Sequence, residues 1–168
     1  MMSLLAAFLT VLAGAQEVEN LQYKYWSNCK PGSWVKMRME MEAGGQKVDS
    51  EITYKLLELK DDMVVIEATG KSKLGGQEIL VPVQKQEIKA KEPADKTKIE
   101  KEGDEEIEVA GKKLKCHWYQ FSNKVGEAET KGKGWMSMDI PGGMAKGEMT
   151  PSGAVKLITM TALEWEKK

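Results

Sequence analysis

The stretch Trp34-Val35-Lys36-Met37-Arg38-Met39-Glu40-Met41-Glu42 decides the fold class, because apolar and charged side chains alternate along it. Successive side chains of a β-strand point to opposite faces, so the alternation places three methionines on one face and four charged residues on the other. A strand with one face against a core and the other in water has this pattern. The stretch therefore predicts a half-buried strand.

The same period of two continues along most of the chain, and short turns that contain glycine interrupt it. Adjacent Leu56 and Leu57 shift the parity of the second strand and indicate a β-bulge. In the last strand, alternate positions from Val155 to Trp165 are predicted to share one apolar face. The predicted strands cover residues 34–42, 48–59, 63–69, 79–88, 107–110, 112–121, 128–140, 144–149 and 155–165.

These elements predict a mainly β fold, a single antiparallel meander of about eight or nine strands. A sheet of this size must curl to bury its apolar face, so a half-barrel, a closed barrel and a sandwich remain open. The spacing of Val18, Leu21 and Tyr25 predicts a short N-terminal helix within residues 17–26, which would cover an open half-barrel. Residues 90–106 are rich in Lys, Glu and Asp and are predicted to form a charged, exposed connection or a long exposed hairpin.

Residues 1–15 are predicted to be a signal peptide. An uncharged apolar run over 4–12 precedes the small residues Ala13-Gly14-Ala15, and polar sequence starts at Gln16. The run is about half as long as the roughly 20 residues that span a bilayer, and the abrupt change at Gln16 disfavours a buried N-terminal helix. We therefore expect cleavage after Ala15, export to the periplasm or the extracellular space, and a mature form that does not span a membrane.

The composition suits a single β-rich domain over residues 16–168 and excludes one class of partner. The chain contains 25 Lys and Arg residues and 26 Asp and Glu residues, so no basic field is available to attract nucleic acid. Charges of opposite sign are mostly interleaved, which is typical of a solvated surface. We expect no nucleic-acid partner.

The two cysteines leave two alternatives open. Cys29 and Cys116 permit one disulfide in an exported protein. They are equally compatible with two buried free thiols, which behave as small apolar side chains.

Residues that commonly carry catalysis are scarce. His117 is the only histidine, and strand alternation points it away from the adjacent Cys116, which makes a Cys-His dyad awkward. The sequence contains no nucleophile-elbow, zinc-protease, P-loop or dinucleotide-binding motif. With 26 acidic residues, carboxylate pairs arise by chance in almost any fold, so none stands out. We expect a non-enzymatic protein without a cofactor or a metal.

Methionine is the notable excess, and it clusters at positions 37–41 and 136–144. We favour core packing as its role, since Met fills irregular gaps, and the alternative is an adaptable cavity for an apolar or lipid-like ligand. Coordination of Cu(I) by thioethers is disfavoured, because alternate residues of a strand stand about 7 Å apart. The residues predicted to line a cavity are Met37, Met39, Met41, Tyr54, Trp118, Trp135 and Met138.

Three segments resemble exported bacterial proteins of uncharacterised function. They are residues 31–35, residues 111–116 and residues 135–148, in which a tryptophan precedes Pro141-Gly142-Gly143 and a lysine and a glutamate follow. More distantly, the order of signal peptide, short helix and antiparallel meander resembles the LolA/LolB-like half-barrel superfamily. For the lipoprotein carriers of that superfamily, the resemblance implies a concave face that shelters acyl chains.

Three functions are compatible with these patterns. The first is an exported binding protein whose concave sheet face takes an apolar or lipid-like ligand. The alternative is an envelope structural or protein-interaction module with a solid core, which uses an exposed sheet edge or the charged residues 91–106. A hydrolase with an unrecognised carboxylate pair is the third hypothesis.

Overall fold

The computed structural model describes residues 17–43, 45–93, 98–125, 128–151 and 155–168, and this part of the chain contains eleven strands and one short helix. The strands are β1 (Glu17–Glu19), β2 (Trp34–Ala43), β3 (Gln46–Leu59), β4 (Met63–Leu74), β5 (Gln77–Lys89), β6 (Lys91–Pro93), β7 (Lys98–Val109), β8 (Lys112–Val125), β9 (Ala128–Met136), β10 (Met144–Pro151) and β11 (Val155–Glu166). The helix is α1 (Leu21–Trp26). The predicted fold class, mainly β with a short helix before the sheet, is confirmed.

Nine strands form one antiparallel sheet in the order β5-β4-β3-β2-β11-β10-β9-β8-β7. Two meanders, β2 to β5 and β7 to β11, are joined where β2 pairs with β11 along nearly the whole of both strands. Sequence neighbours pair as predicted within each meander. The step from β5 to β7 is the exception, because the intervening β6 pairs with β1 in a separate two-stranded sheet.

The sheet is an open, curled wall and is not closed into a barrel. Strands β5 and β7 are its two edges. Nevertheless, Ile88 of β5 and Val109 of β7 belong to one hydrophobic core, whereas the edges of a flat nine-stranded sheet would lie about 38 Å apart. Of the three predicted architectures, the half-barrel therefore describes the structure.

Helix α1 lies across one end of the sheet and is held by its neighbours. The Asn20 side chain caps the helix, accepting from the backbone N–H groups of Gln22 at 2.9 Å and Tyr23 at 3.4 Å. The Asn20 backbone N–H donates to the carbonyl of Ala90, just after β5, at 2.9 Å. The Tyr23 hydroxyl donates to the carbonyl of Asp61, in the β3–β4 turn, at 2.8 Å. These bonds fix a six-residue helix that would not be stable alone.

The β9–β10 turn, residues 137–143, packs against the other side of the helix. Its ends are joined by a hydrogen bond from the Ser137 N–H to the carbonyl of Gly143, 2.7 Å long. Gly143 has a φ of +81°, and a side chain there would overlap the Tyr25 ring. A Cβ at Gly142 would lie 2.6 Å from a ring atom of Trp26. The two glycines thus let the turn approach the aromatic face of the helix.

The β7–β8 hairpin covers the same end of the sheet. Strand β8 extends beyond β9, with which its last pair is His117↔Met136. In this extension Leu114 and Cys116 are buried in the common core. The Lys112 ammonium lies 4.5 Å from the centroid of the Trp165 ring at the end of β11. The extension therefore bends over the core and closes the sheet at that end.

Two predicted boundaries differ from the structure. The helix begins at Leu21 and not near residue 17, because Asn20 is its N-cap and β1 pairs with β6. Within the predicted connection 90–106 the structure has β6 and most of β7, whose side chains are nearly all exposed. An edge strand pairs on one side only, so a charged sequence without an apolar face can still form a strand.

A β-bulge changes the sheet face to which the following side chains point. The predicted assignment of side chains to faces is therefore correct only up to a bulge that was not predicted. The β3–β4 register shifts between Leu56 and Glu58, which confirms the predicted bulge. A second shift, between Ala162 and Glu164 in the β2–β11 pair, has no obvious signal in the sequence. Ala162 is buried, whereas Leu157 on the predicted apolar face is exposed. The single shared face predicted for the last strand is therefore wrong.

Two further predictions fall partly or wholly outside the described residues. These are the signal peptide over 1–15 and the turn with glycine between the strands predicted over 144–149 and 155–165. Within the described ranges, no helix is long and apolar enough to cross a membrane.

Both cysteines are buried free thiols. The disulfide is therefore not formed in the structure, which corresponds to the second of the two alternatives. Burial raises the pKa of Cys116 to about 11, and the carboxylates of Glu105 and Asp139 add to the rise. Burial also raises the pKa of Cys29. Since the thiolate is the reactive form, both thiols are expected to be inert in the folded state.

Gly143→Ala should lower the free energy of unfolding more than Gly76→Ala does. Both glycines have positive φ, +81° and +87°, and the backbone strain of about 1–3 kcal/mol is common to both variants. Only at position 143 does the added methyl group meet a ring, since nothing lies within 4 Å at position 76. Urea denaturation of the two variants and the wild type measures the difference. An equal loss of unfolding free energy in the two variants would show that the Tyr25 ring does not restrict a side chain at position 143.

The cysteines should react with iodoacetamide only after unfolding. At pH 8 the native protein is expected to stay unmodified, because both thiols are buried and protonated. The denatured but non-reduced protein should take up two adducts, as measured by intact mass. A denatured protein that is alkylated only after reduction would demonstrate the disulfide instead.

Candidate functional site

An outer cleft of about 720 Å³ lies in the gap between the two sheet edges. Strands β5 and β6 form one wall, β7 and β8 form the other, and β1 with the start of α1 covers the gap. Its apolar lining residues are Val18, Leu21, Ile88, Ile99, Tyr119 and Phe121. Its polar and charged lining residues are Glu19, Asn20, Gln22, Gln86, Glu87, Lys89, Lys91 and Glu92.

An inner cavity of about 170 Å³ lies on the concave side of the sheet. Residues from α1, seven strands of the sheet and the β9–β10 turn line it. They are Gln22, Trp26, Val35, Met37, Tyr54, Ile66, Gln86, Met136, Pro141, Gly142, Met144 and Met160. Four of these side chains are thioethers that come from four different strands, so the curl of the sheet gathers methionines that are distant in sequence.

The outer cleft and the inner cavity adjoin at two glutamines. Gln22 of α1 and Gln86 of β5 line both spaces, and no other residue does. Ile66, which lies opposite Gln86 in the β4–β5 register, lines the inner cavity. The two spaces therefore adjoin at a polar junction, the side chains of Gln22 and Gln86, which lies between the open edge of the sheet and its interior.

Two of the seven residues predicted to line a cavity do so. Met37 and Tyr54 both line the inner cavity, and burial raises the pKa of the Tyr54 phenol. Met39 and Met41 follow Met37 along β2 and are partly buried, but they line neither space. Met138 lies in the β9–β10 turn, where the predicted strand 128–140 has already ended, and its side chain is 47% exposed.

Trp118 and Trp135 lie next to each other, and their rings contact other side chains of the protein. They are opposite each other in the β8–β9 register. The Lys133 ammonium lies 4.3 Å from the centroid of each ring and 3.1 Å from the carboxylate of Glu105. The Trp135 indole N–H also donates to this carboxylate, which lowers the pKa of Glu105. These contacts are typical of a stabilising cluster of rings and charges, and neither ring lines the cleft or the cavity.

Sequence reasoning missed most of the lining residues. Met136, Met144 and Met160 belong to the methionine excess, but the end of β9 and the β11 bulge place them where alternation does not predict. Gln22 and Gln86 carry no signal, because a polar side chain on a helix or a strand usually indicates a solvated position.

The single histidine is held between two carboxylates on the neighbouring strand. His117 Nδ1 lies 2.7 Å from a carboxylate oxygen of Asp104, and Nε2 lies 3.4 Å from one of Glu102. These hydrogen bonds raise the pKa of His117, with Asp104 as the main cause. Its ring meets the Tyr119 ring edge to face at a centroid distance of 4.6 Å. Both imidazole nitrogens thus face carboxylates, which stabilise the protonated ring relative to the neutral one.

The chemistry of these groups does not resemble that of a nucleophilic site. A catalytic cysteine needs a lowered pKa, and the pKa of Cys116 is raised. A general base needs a free nitrogen, and both nitrogens of His117 face carboxylates. Among the described residues, no three His, Cys, Asp or Glu side chains are grouped so that they could hold a metal ion.

Comparisons with known proteins give little further information. No family model matches the chain, that of the LolA/LolB-like carriers included, and no curated protein matches it. A candidate exported protein with a YmcC-like fold from Bacteroides fragilis superposes with a TM-score of 0.49 at 8% identity, over 83% of this chain and 97% of that chain. A redesigned β-barrel, mFAP1, bound to DFHBI superposes with a TM-score of 0.26 at 13% identity, over 85% and 99%. At these values neither similarity carries an argument about function.

The pKa of His117 should lie above 6.5 and fall towards it in Asp104→Asn, because the variant loses the main partner of the imidazolium. The raised pKa means that folding stabilises the protonated form. This stabilisation is complete below the unfolded pKa and is lost as the pH rises through the folded pKa. The stability difference between wild type and Asp104→Asn should therefore be present at pH 5 and absent at pH 9.

An NMR titration of the imidazole C2–H signal measures this pKa without ambiguity, since the chain has one histidine. Asp62→Asn, at an exposed turn position away from His117, is the matched control. An identical pKa in wild type and Asp104→Asn would refute the proposed pairing.

Proposed function

We propose that this chain is an exported, non-enzymatic binding protein that takes an apolar or lipid-like ligand into the curled sheet. The observation that carries the proposal is that the outer cleft adjoins the inner cavity at Gln22 and Gln86. The cleft volume of about 720 Å³ is within the range of roughly 300–1,000 Å³ that small-molecule sites occupy.

The side chains that line the outer cleft and the inner cavity support an apolar ligand. Ile88, Ile99 and Phe121 line the cleft, and methionine and aromatic side chains line the cavity. Methionine is flexible and polarisable, so a cavity built from it adapts to ligands of irregular shape. A closed, solid interior would instead support the structural module considered from the sequence.

Export and the absence of catalysis are supported by separate features. The uncharged apolar run and the small residues that precede Gln16 have the pattern of a cleaved signal peptide. The raised pKa of Cys116 and the carboxylates that face His117 argue against nucleophilic or acid–base catalysis.

A second candidate function uses the edge of the sheet. Strand β5 is unpaired on its outer side and carries the exposed apolar residues Ile79, Leu80 and Val83. Unpaired edges of this kind bind strands of other proteins. This observation supports an envelope interaction module as the alternative.

Ile99→Asp should weaken the binding of an apolar probe, and Leu80→Asp should not. Both changes place a carboxylate at an exposed apolar position of an edge strand, but only Ile99 lines the cleft. Titration with N-phenyl-1-naphthylamine, a dye that fluoresces in apolar surroundings, measures the binding. Desolvation of the new carboxylate should raise the Kd of Ile99→Asp about tenfold or more.

Circular dichroism of both variants shows that the sheet is retained. A wild type that binds no dye, or two variants with the same Kd as wild type, would refute the ligand hypothesis. If the second candidate function is correct, Leu80→Asp should abolish the binding of an envelope protein partner, and Ile99→Asp should not.

A further inference from the structure

We propose that Gln22 and Gln86 select the ligand, and that the ligand carries a neutral carbonyl or amide group next to a ring-sized apolar end. This inference rests on the proposed ligand-binding function. It adds the chemical class of the ligand and the residues that recognise it.

The size of the inner cavity limits the end of the ligand that enters it. The cavity measures about 170 Å³, and an apolar protein cavity of about 150 Å³ is known to hold one benzene molecule. Trp26, Tyr54 and the methionines provide an apolar and polarisable lining. One ring or a short branched chain therefore fits, and the rest of the ligand stays in the outer cleft.

The junction provides unused hydrogen-bonding groups. A glutamine side chain offers two N–H donors and one carbonyl acceptor. In the described part of the chain, no hydrogen bond engages the side-chain amide of Gln22 or that of Gln86. Both glutamines are exposed to water in the free protein. A bound ligand that covers them displaces this water, and an amide or a carbonyl on the ligand would then satisfy groups that a plain hydrocarbon leaves desolvated and unpaired.

The two glutamines are presented by well-fixed elements. Gln22 is the second residue of α1, whose start is held by the Asn20 cap and by the bond from Asn20 to Ala90. Gln86 lies within the paired part of β5, opposite Ile66. Polar groups on fixed helices and strands select ligands more sharply than groups on loops do.

The charges at the cleft favour a neutral polar group over a charged one. Glu19, Glu87 and Glu92 line the cleft together with Lys89 and Lys91. Carboxylates and ammonium groups are thus mixed in the lining, and neither sign dominates strongly enough to select an ionic ligand. Recognition is therefore left to the neutral amides.

The test compares two probes in two proteins. N-Butylbenzamide carries a ring and an adjacent amide, and hexylbenzene is a hydrocarbon of similar length. Their Kd values are measured by displacement of N-phenyl-1-naphthylamine from the wild type and from the double variant Gln22→Met/Gln86→Met. Methionine keeps the unbranched chain and removes the amide. Gln84→Met, on β5 but outside both spaces, is the matched control.

The double variant should bind N-butylbenzamide about tenfold more weakly, as expected for the loss of one or two hydrogen bonds. Its Kd for hexylbenzene should stay the same or fall, because a hydrocarbon then leaves no glutamine amide unpaired. Gln84→Met should match the wild type for both probes. If the wild type binds the dye but the two benzene derivatives respond alike to the double variant, or the amide does not bind, the selection by glutamine is refuted and the binding function stands. If the wild type binds no dye, the proposed function itself fails.

Discussion

The structure depends on the pairing between β2 and β11. Strand β2 begins one of the two meanders and β11 ends the other. Among the described strands, their ladder is the one backbone pairing that joins the two halves of the nine-stranded sheet. Backbone hydrogen bonds along this ladder place the first and last long strands at the centre, where both of their sides are paired. The two free edges are consequently moved to β5 and β7, and the curl brings these edges towards a common core.

Helix α1 and the β9–β10 turn close one end of the curled sheet. Without α1, the end of the sheet near residues 60–62, 90 and 137–143 would be open. The helix is too short to be stable alone, so the Asn20 cap, the Tyr23 bond and the approach of Gly142 and Gly143 hold it in place. The same contacts leave space beneath the helix, because Trp26 of α1 and Gly142 of the turn both line the inner cavity.

The fold class was largely predictable from the sequence, and the site was not. Alternation around Met37 and the glycine turns identify the strands, because period and turn chemistry are local properties. The join between β2 and β11 is not local, and neither is the strand character of the charged β7, which arises from pairing with β8. Met37 and Tyr54 line the inner cavity, and regular alternation along their strands is enough to place them on that face. Met160 was missed because a bulge two residues later changes the face, and Gln86 was missed because its role follows from its position between two spaces.

The central position of β11 has a consequence for synthesis. The strand that joins the two halves of the sheet is the last of the eleven in chain order, and loops between distant strands close slowly. A nascent polypeptide that has not yet reached residue 155 can form local hairpins but lacks the partner that unites them. The complete tertiary structure can therefore form only after translation has passed this strand. Until then the nascent chain remains partly unfolded.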